Sequence, residues 1–241
     1  MDSSGRTLRK PRSAIGLSRQ IEDYLKVIYK LLESGRPATT SAIAAALSVS
    51  SASVTSMLKK LHQMKLVRYA RYHGVTILPP GRKIALEVIR HHRLIELYLQ
   101  SALGYSWDRV DAEAERLEHV ISEEMEDRID ALLGHPTVDP HGDPIPSKGG
   151  AVASANLRNL SDLEAGESGI VRRIGDQEAA KLRYLAGLGI VPNARVRVVE
   201  KQPFEGPMVV RVGKGRHVIG REIAAQIRVE RGRSMRRGVR R

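Results

Sequence analysis

The chain has 241 residues, no cysteine and only 4% aromatic residues. Disulfides and thiolate zinc sites are thereby excluded, and the core must be built from Leu, Ile, Val and Ala. A formal net charge of +13 and a pI near 10.2 call for a polyanionic partner, with nucleic acid the first candidate. The length suits two or three modest domains. No apolar run approaches the roughly 20 residues of a membrane span, and the basic start lacks the apolar core of a secretory signal. A reducing cytoplasmic location and no membrane partner are expected.

Residues 1–17 are polar and basic (Arg6, Arg9, Lys10, Arg12) and read as a disordered arm. Ser18 opens a helix whose stripe is Ile21, Leu25, Ile28, Tyr29 and Leu32, stopped by Ser34-Gly35-Arg36-Pro37. Thr40–Leu47 is a short Ala-rich helix, Ser48-Val49-Ser50 a turn, and Ser51–Met64 a second helix buried through Val54, Met57, Leu58 and Leu61. Two short helices at this spacing make a helix-turn-helix. The second helix opens on small residues, which let its N-terminus press into a major groove. Thr40, Ser50, Ala52, Ser53, Thr55, Ser56, Lys59 and Lys60 are the candidate DNA contacts. Leu66–Leu78 reads as two strands turning near His73-Gly74, a wing, which closes a DNA-binding domain over 18–81.

Pro79-Pro80-Gly81 starts a long helix, 82–103, in which His92 and Glu96 share a face. A His alone at such a position more often serves a structural role than a ligand role. Asp111–Leu132 lacks Gly and Pro and reads as one further helix, with an apolar stripe of Leu117, Val120, Ile121, Met125, Ile129 and Leu132. Glu115, Glu118 and His119 lie at i, i+3 and i+4, so their heads can converge. Without a cation such a trio repels and stays hydrated; around a divalent metal it forms a coordination shell. Spacing alone leaves both readings open. A Pro/Gly linker, 134–150, carries Asp139 and His141. From about residue 155 the period becomes that of strands, with one helix near Glu178–Leu188, which fits a small β-barrel over 155–230 followed by an Arg-rich tail, 231–241. The fold class is therefore mainly α with a small β domain.

Taken together, the Glu-Asp-Tyr-Leu segment at 22–25, the winged helix-turn-helix, Arg90-His-His-Arg-Leu-Ile-Glu96, Glu115-x-x-Glu-His119 and Pro140-His-Gly-Asp-Pro-Ile-Pro146 resemble the diphtheria toxin repressor family of metal-dependent repressors, with a terminal barrel similar to ferrous transport protein A. The resemblance covers residues 18–230. It implies a primary metal site of Asp23, His92, Glu115, Glu118 and His119, and an ancillary site drawing on Glu96, Asp139 and His141 with Glu178 or Asp176. The iron branch has sulfur donors where this chain has Asp23 and Glu115. Hard oxygen there favours Mn²⁺, with Fe²⁺ the alternative. Lys26 stands where a two-domain manganese branch has a Glu, which excludes that branch's closely spaced metal pair. Asp139 stands where three-domain relatives often have Cys, and Asp111 where the iron branch has a ligand His.

The resemblance further implies a homodimer through the helices of 82–146, reading a palindromic operator, with metal fixing the angle of the DNA-binding domain. A metal-dependent hydrolase built on the same ligands is the rival from another class. No nucleophile or oxyanion-binding loop supports it, so no enzymatic activity is expected.

Overall fold

The computed structural model describes residues 18–70, 74–175 and 178–231. By its own contacts the chain divides into two compact units. Of the described residues, the first holds those up to His92 together with Glu115–Leu132 and Pro146–Ala151; the second holds Arg93–Ala114, Leu133–Ile145 and those from Val152 onward.

In the first unit, α1 (Arg19–Glu33) buries Ile21, Tyr24, Leu25 and Ile28 and packs on α2 (Thr40–Leu47). The hydroxyl of Thr39 caps α2 by accepting from Ala42 N at 3.1 Å. Ser48 ends α2 in the left-handed region (φ 53°), and Ser50 caps α3 (Ser51–Gln63). The two helices are bent 109° apart, as a helix-turn-helix requires. The expected α3 stripe of Val54, Met57, Leu58 and Leu61 is buried. Strands β1 (Val67–Ala70) and β2 (Gly74–Ile77) pair antiparallel as the wing; the expected turn residue His73 lies outside the described residues.

The long helix α4 (Pro79–Leu103) begins three residues earlier than expected, since Pro at the first helical position lacks only an N–H that would have no partner there. The stretch expected as one helix over 111–132 is two, α5 (Val110–Leu117) and α6 (Glu123–Leu132). Ser122 makes the break: its hydroxyl accepts from Met125 N at 3.2 Å, its carbonyl from Glu126 N at 2.9 Å, and Glu123, Glu124 and Glu126 complement the new helix start. Of the expected apolar stripe only Ile121 and Ile129 are buried in the single chain, while Val120 is 57% and Leu132 68% exposed.

In the second unit, six strands form an antiparallel sheet in the order β3-β8-β4-β5-β6-β7. They are β3 (Arg158–Asn159), β4 (Ser168–Ile174), β5 (Arg195–Lys201), β6 (Met208–Val212), β7 (Gly215–Ile219) and β8 (Ile227–Arg231), with α7 (Ala179–Gly187) and the short α8 (Arg221–Gln226) between them. The inner face is aliphatic, through Val171, Ile174, Val196, Val198, Val210 and Val229. The expected barrel is an open sheet among the described residues, ending at β3 and β7. The loop carrying Asp139 and His141 packs on β4: Ile174 N donates to the carbonyl of His141 at 2.9 Å. Gly142 (φ +86°) approaches the carbonyl of Arg172 so closely that a Cβ would collide with it.

Candidate metal centres

Within the first unit, α1 delivers Glu22, Asp23 and Lys26, α4 delivers His92, and the end of α5 with the following turn delivers Glu115, Glu118 and His119. Potential ligand atoms of Asp23, Glu118 and His119 lie within 4.8 Å of one another, as do those of His92, Glu115 and Glu118. The five expected primary residues are thus brought together as two trios sharing Glu118. Glu118 and His119 reach the site from a turn, not from a helix face.

The second trio already holds a cation. Lys26 Nζ donates to Glu115 Oε2 at 2.6 Å and lies 2.8 Å from each oxygen of Glu118. Burial alone would lower the lysine pKa, but the charges of Glu118 and Glu115 outweigh it and raise it, so the ammonium is fixed. Burial would likewise raise the pKa of Glu118, yet hydrogen bonds from His119 and His92 and the charge of Lys26 hold it far below the carboxylate range.

In the first trio, His119 Nε2 lies 2.7 Å from Asp23 Oδ1 and 3.1 Å from Glu118 Oε1, and Nδ1 lies 2.6 Å from Glu22 Oε2. Burial would depress this imidazole, but Asp23, Glu118 and Glu22 raise its pKa to about 11. Both ring nitrogens therefore carry protons in the metal-free protein. Nδ1–H donating to Glu22 leaves Nε2 as the atom a metal would take, a carboxylate–histidine arrangement common at metal centres. Glu22 is the residue that sequence reasoning missed; its signal was an acidic position one residue from a proposed ligand.

Within the second unit, ligand atoms of Glu96, Asp139 and His141 lie within 4.8 Å of one another, all buried. His141 Nε2–H donates to the Trp107 carbonyl at 2.8 Å, which turns Nδ1, buried without a hydrogen-bond partner, toward Glu96 Oε1 at 3.7 Å. Asp139 Oδ1 accepts from the backbone N–H of His141 and Asp143 at 2.8 and 2.9 Å, leaving buried Oδ2 without a hydrogen-bond partner. Burial, then the charges of Asp143 and Glu96, push Asp139 well above the usual carboxylate range, with Arg93 only partly offsetting them. Such a cluster gains most from a bound cation. Glu178 is not part of it: it is exposed at the start of α7, 3.0 Å from Lys181 Nζ. Asp176 lies outside the described residues.

At the other end of the first unit, Ser50, Ala52, Ser53, Ser56, Lys59 and Lys60 are exposed. Thr40 and Thr55 are only partly so, and the Thr55 hydroxyl donates back to the Ser51 carbonyl at 2.9 Å. Among the described residues no single helix is long and apolar enough to cross a membrane.

A winged helix-turn-helix followed by two carboxylate–imidazole clusters is the outline of a metal-dependent DNA-binding regulator. Three family models match in succession: the iron dependent repressor N-terminal DNA binding domain over 16–75, its metal binding and dimerisation domain over 79–147, and the FeoA domain over 158–231. The iron-dependent repressor IdeR of Mycobacterium tuberculosis is 35% identical over 222 residues, covering 87% of this chain and 96% of that protein. A solved manganese-dependent transcriptional repressor in complex with manganese superposes with a TM-score of 0.82 at 38% identity, covering 88% of this chain and 99% of that one. The manganese regulator SloR superposes with a TM-score of 0.74 at 29% identity, covering 90% of this chain and 100% of that one. The chain belongs to the diphtheria toxin repressor family of transcriptional regulators, which are not enzymes.

Proposed function

We propose that the protein is a Mn²⁺-dependent transcriptional repressor that binds a palindromic operator as a homodimer and acts on metal-uptake genes. The observation that carries this reading is the convergence of Asp23, on the helix that packs against the helix-turn-helix, with Glu118 and His119. Asp23, Glu118 and His119 are the core of the primary centre, with Glu115 and His92 completing it beside Lys26; Glu96, Asp139 and His141 form the ancillary one. A divalent cation supplies two positive charges in place of a displaced proton, and a fixed coordination geometry.

The residues do the rest. Glu22 holds the His119 ring in orientation through Nδ1. Asp23 ties α1 to the turn after α5, and α1 packs on α2, so ligation restricts the angle at which α3 is presented. That coupling is typically about 1–3 kcal/mol, and operator binding tightens metal binding by the same factor. Exposed Leu117, Val120, Met125 and Leu132 form the face through which a second copy docks, so that two α3 helices reach major grooves about 34–36 Å apart. Carboxylates without sulfur favour Mn²⁺ over Fe²⁺.

Genomic fragments recovered on the protein in Mn²⁺, in anaerobic Fe²⁺ and in chelator test the reading. Enrichment of an inverted repeat with Mn²⁺ alone is the expected result; Fe²⁺ acting equally well removes the manganese preference, and equal enrichment in chelator overturns the switch.

A further inference from the structure

The sheet of the second unit carries a row of arginines on its outer face. Register places Arg197 of β5 directly opposite Arg211 of β6, and Arg211 directly opposite Arg216 of β7. The flanking Val196, Val198 and Val210 point into the core, so the pleat turns all three arginines outward, and all three are exposed. Arg195, two residues before Arg197 on the same face, and Lys214 in the β6–β7 turn are exposed as well. Arg216 reaches one carboxylate, Glu200 at 3.5 Å. Among the described residues Arg195, Arg197, Arg211 and Lys214 have no ion-pair partner.

Like charges directly opposite on neighbouring strands destabilise a sheet. Three in one line span only about 10 Å, because strands stand about 4.8 Å apart. A polyanion relieves this repulsion. The chain's own ends cannot: the Arg-rich stretch after β8 and the N-terminal arm carry the same sign. Duplex DNA, with one negative charge per about 1.7 Å of its axis, is charged more densely than the row and can neutralise all of it.

We propose that the outer face of this sheet, through Arg197, Arg211 and Arg216, is a second DNA-binding surface that grips phosphate backbone without reading sequence. It acts in addition to the helix-turn-helix and does not depend on metal.

Full-length wild-type protein, R197Q/R211Q and R197K/R211K are titrated against a mixed-sequence duplex by fluorescence anisotropy over a range of KCl concentrations, with thermal melts to confirm the fold. Each lost phosphate contact lowers the slope of log affinity against log salt by about 0.9. The glutamine variant is expected to lose about 2 from that slope and to melt no lower than wild type, and the lysine variant to keep the wild-type slope. An unchanged slope in folded R197Q/R211Q overturns the proposal, as does wild-type protein that does not bind the duplex. Binding lost only to phosphatidylglycerol vesicles, with the DNA slope intact, also overturns it and assigns the face to anionic lipid. Failure of the metal switch would leave the slopes untouched.

Discussion

Lys26 Nζ stands 2.8 Å from each carboxylate oxygen of Glu118, so one ammonium is seated in the cluster where the shared carboxylate of the two trios lies. The protein carries part of its own counter-charge on α1. K26M leaves Glu118 buried beside Glu115 without that charge. It is expected to cost the metal-free protein about 3 kcal/mol, as breaking a buried pair does, read as a lowered melting temperature. K26E adds a carboxylate instead, and elemental analysis is expected to find one more Mn²⁺ per chain than in wild type. An unchanged ratio would show that the ammonium does not exclude a second ion.

Glu22 lies 2.6 Å from His119 Nδ1 and belongs to neither ligand trio. E22Q keeps the size of the side chain and loses the charge that orients the ring. Mn²⁺ affinity, followed by the EPR signal of free Mn²⁺, is expected to fall about 10–100-fold, as for other groups that orient a metal-bound histidine. Secondary structure by circular dichroism should not change.

The pair of His91 and Glu126, 3.1 Å apart and both buried, sets a pH signature. Burial would raise Glu126, but His91 and Arg90 lower it; burial would lower His91, but Glu126 raises it. A depressed carboxylate contributes stability above its unfolded pKa of about 4.3, lost as pH falls; a raised imidazole contributes below its unfolded pKa of about 6.5, lost as pH rises through its folded value. The two overlap between about pH 4.5 and 6.5. The melting-temperature gap between wild type and E126Q in chelator should therefore be widest there and narrow on both sides.

Asp139 is held unfavourably without a metal ion, since burial and then the charges of Asp143 and Glu96 outweigh Arg93. D139N removes that repulsion. In chelator its melting temperature should equal or exceed that of wild type, while saturating Mn²⁺ should raise it less. The difference between the two increments isolates the ancillary centre from the primary one.

Val120 and Leu132 project from the α5–α6 segment with more than half their surface open. V120E/L132E should leave the fold intact and shift the protein to a monomer in sedimentation, with metal-dependent operator binding lost.

The helix-turn-helix was legible because α2 and α3 obey a local rule: apolar spacing, a Thr or Ser cap, a Ser turn. The strands β4 and β6 were legible because Val and Ile alternate with polar residues there. The break at Ser122 was not, because helix propensity through Glu123–Leu132 is high on both sides and only the cap chemistry marks it. The openness of the sheet was not legible either, because closure depends on pairing between distant strands, to which no periodicity speaks. Asp23, Glu115, Glu118 and His119 could be nominated from spacing and resemblance, but the roles of Lys26 and Glu22 needed the fold, since α1 is nearly a hundred positions away from the residues it meets.

The turn between α5 and α6 has one more consequence. Had the helix continued, its fixed rise per residue would have frozen the distance from Glu115 to His119. With Glu118 and His119 in a turn that ends at the Ser122 cap, substitutions at Val120 or Ile121, which donate nothing, can widen or narrow the grip on ions of different radius. Lineages with the same donors can thus drift between metals.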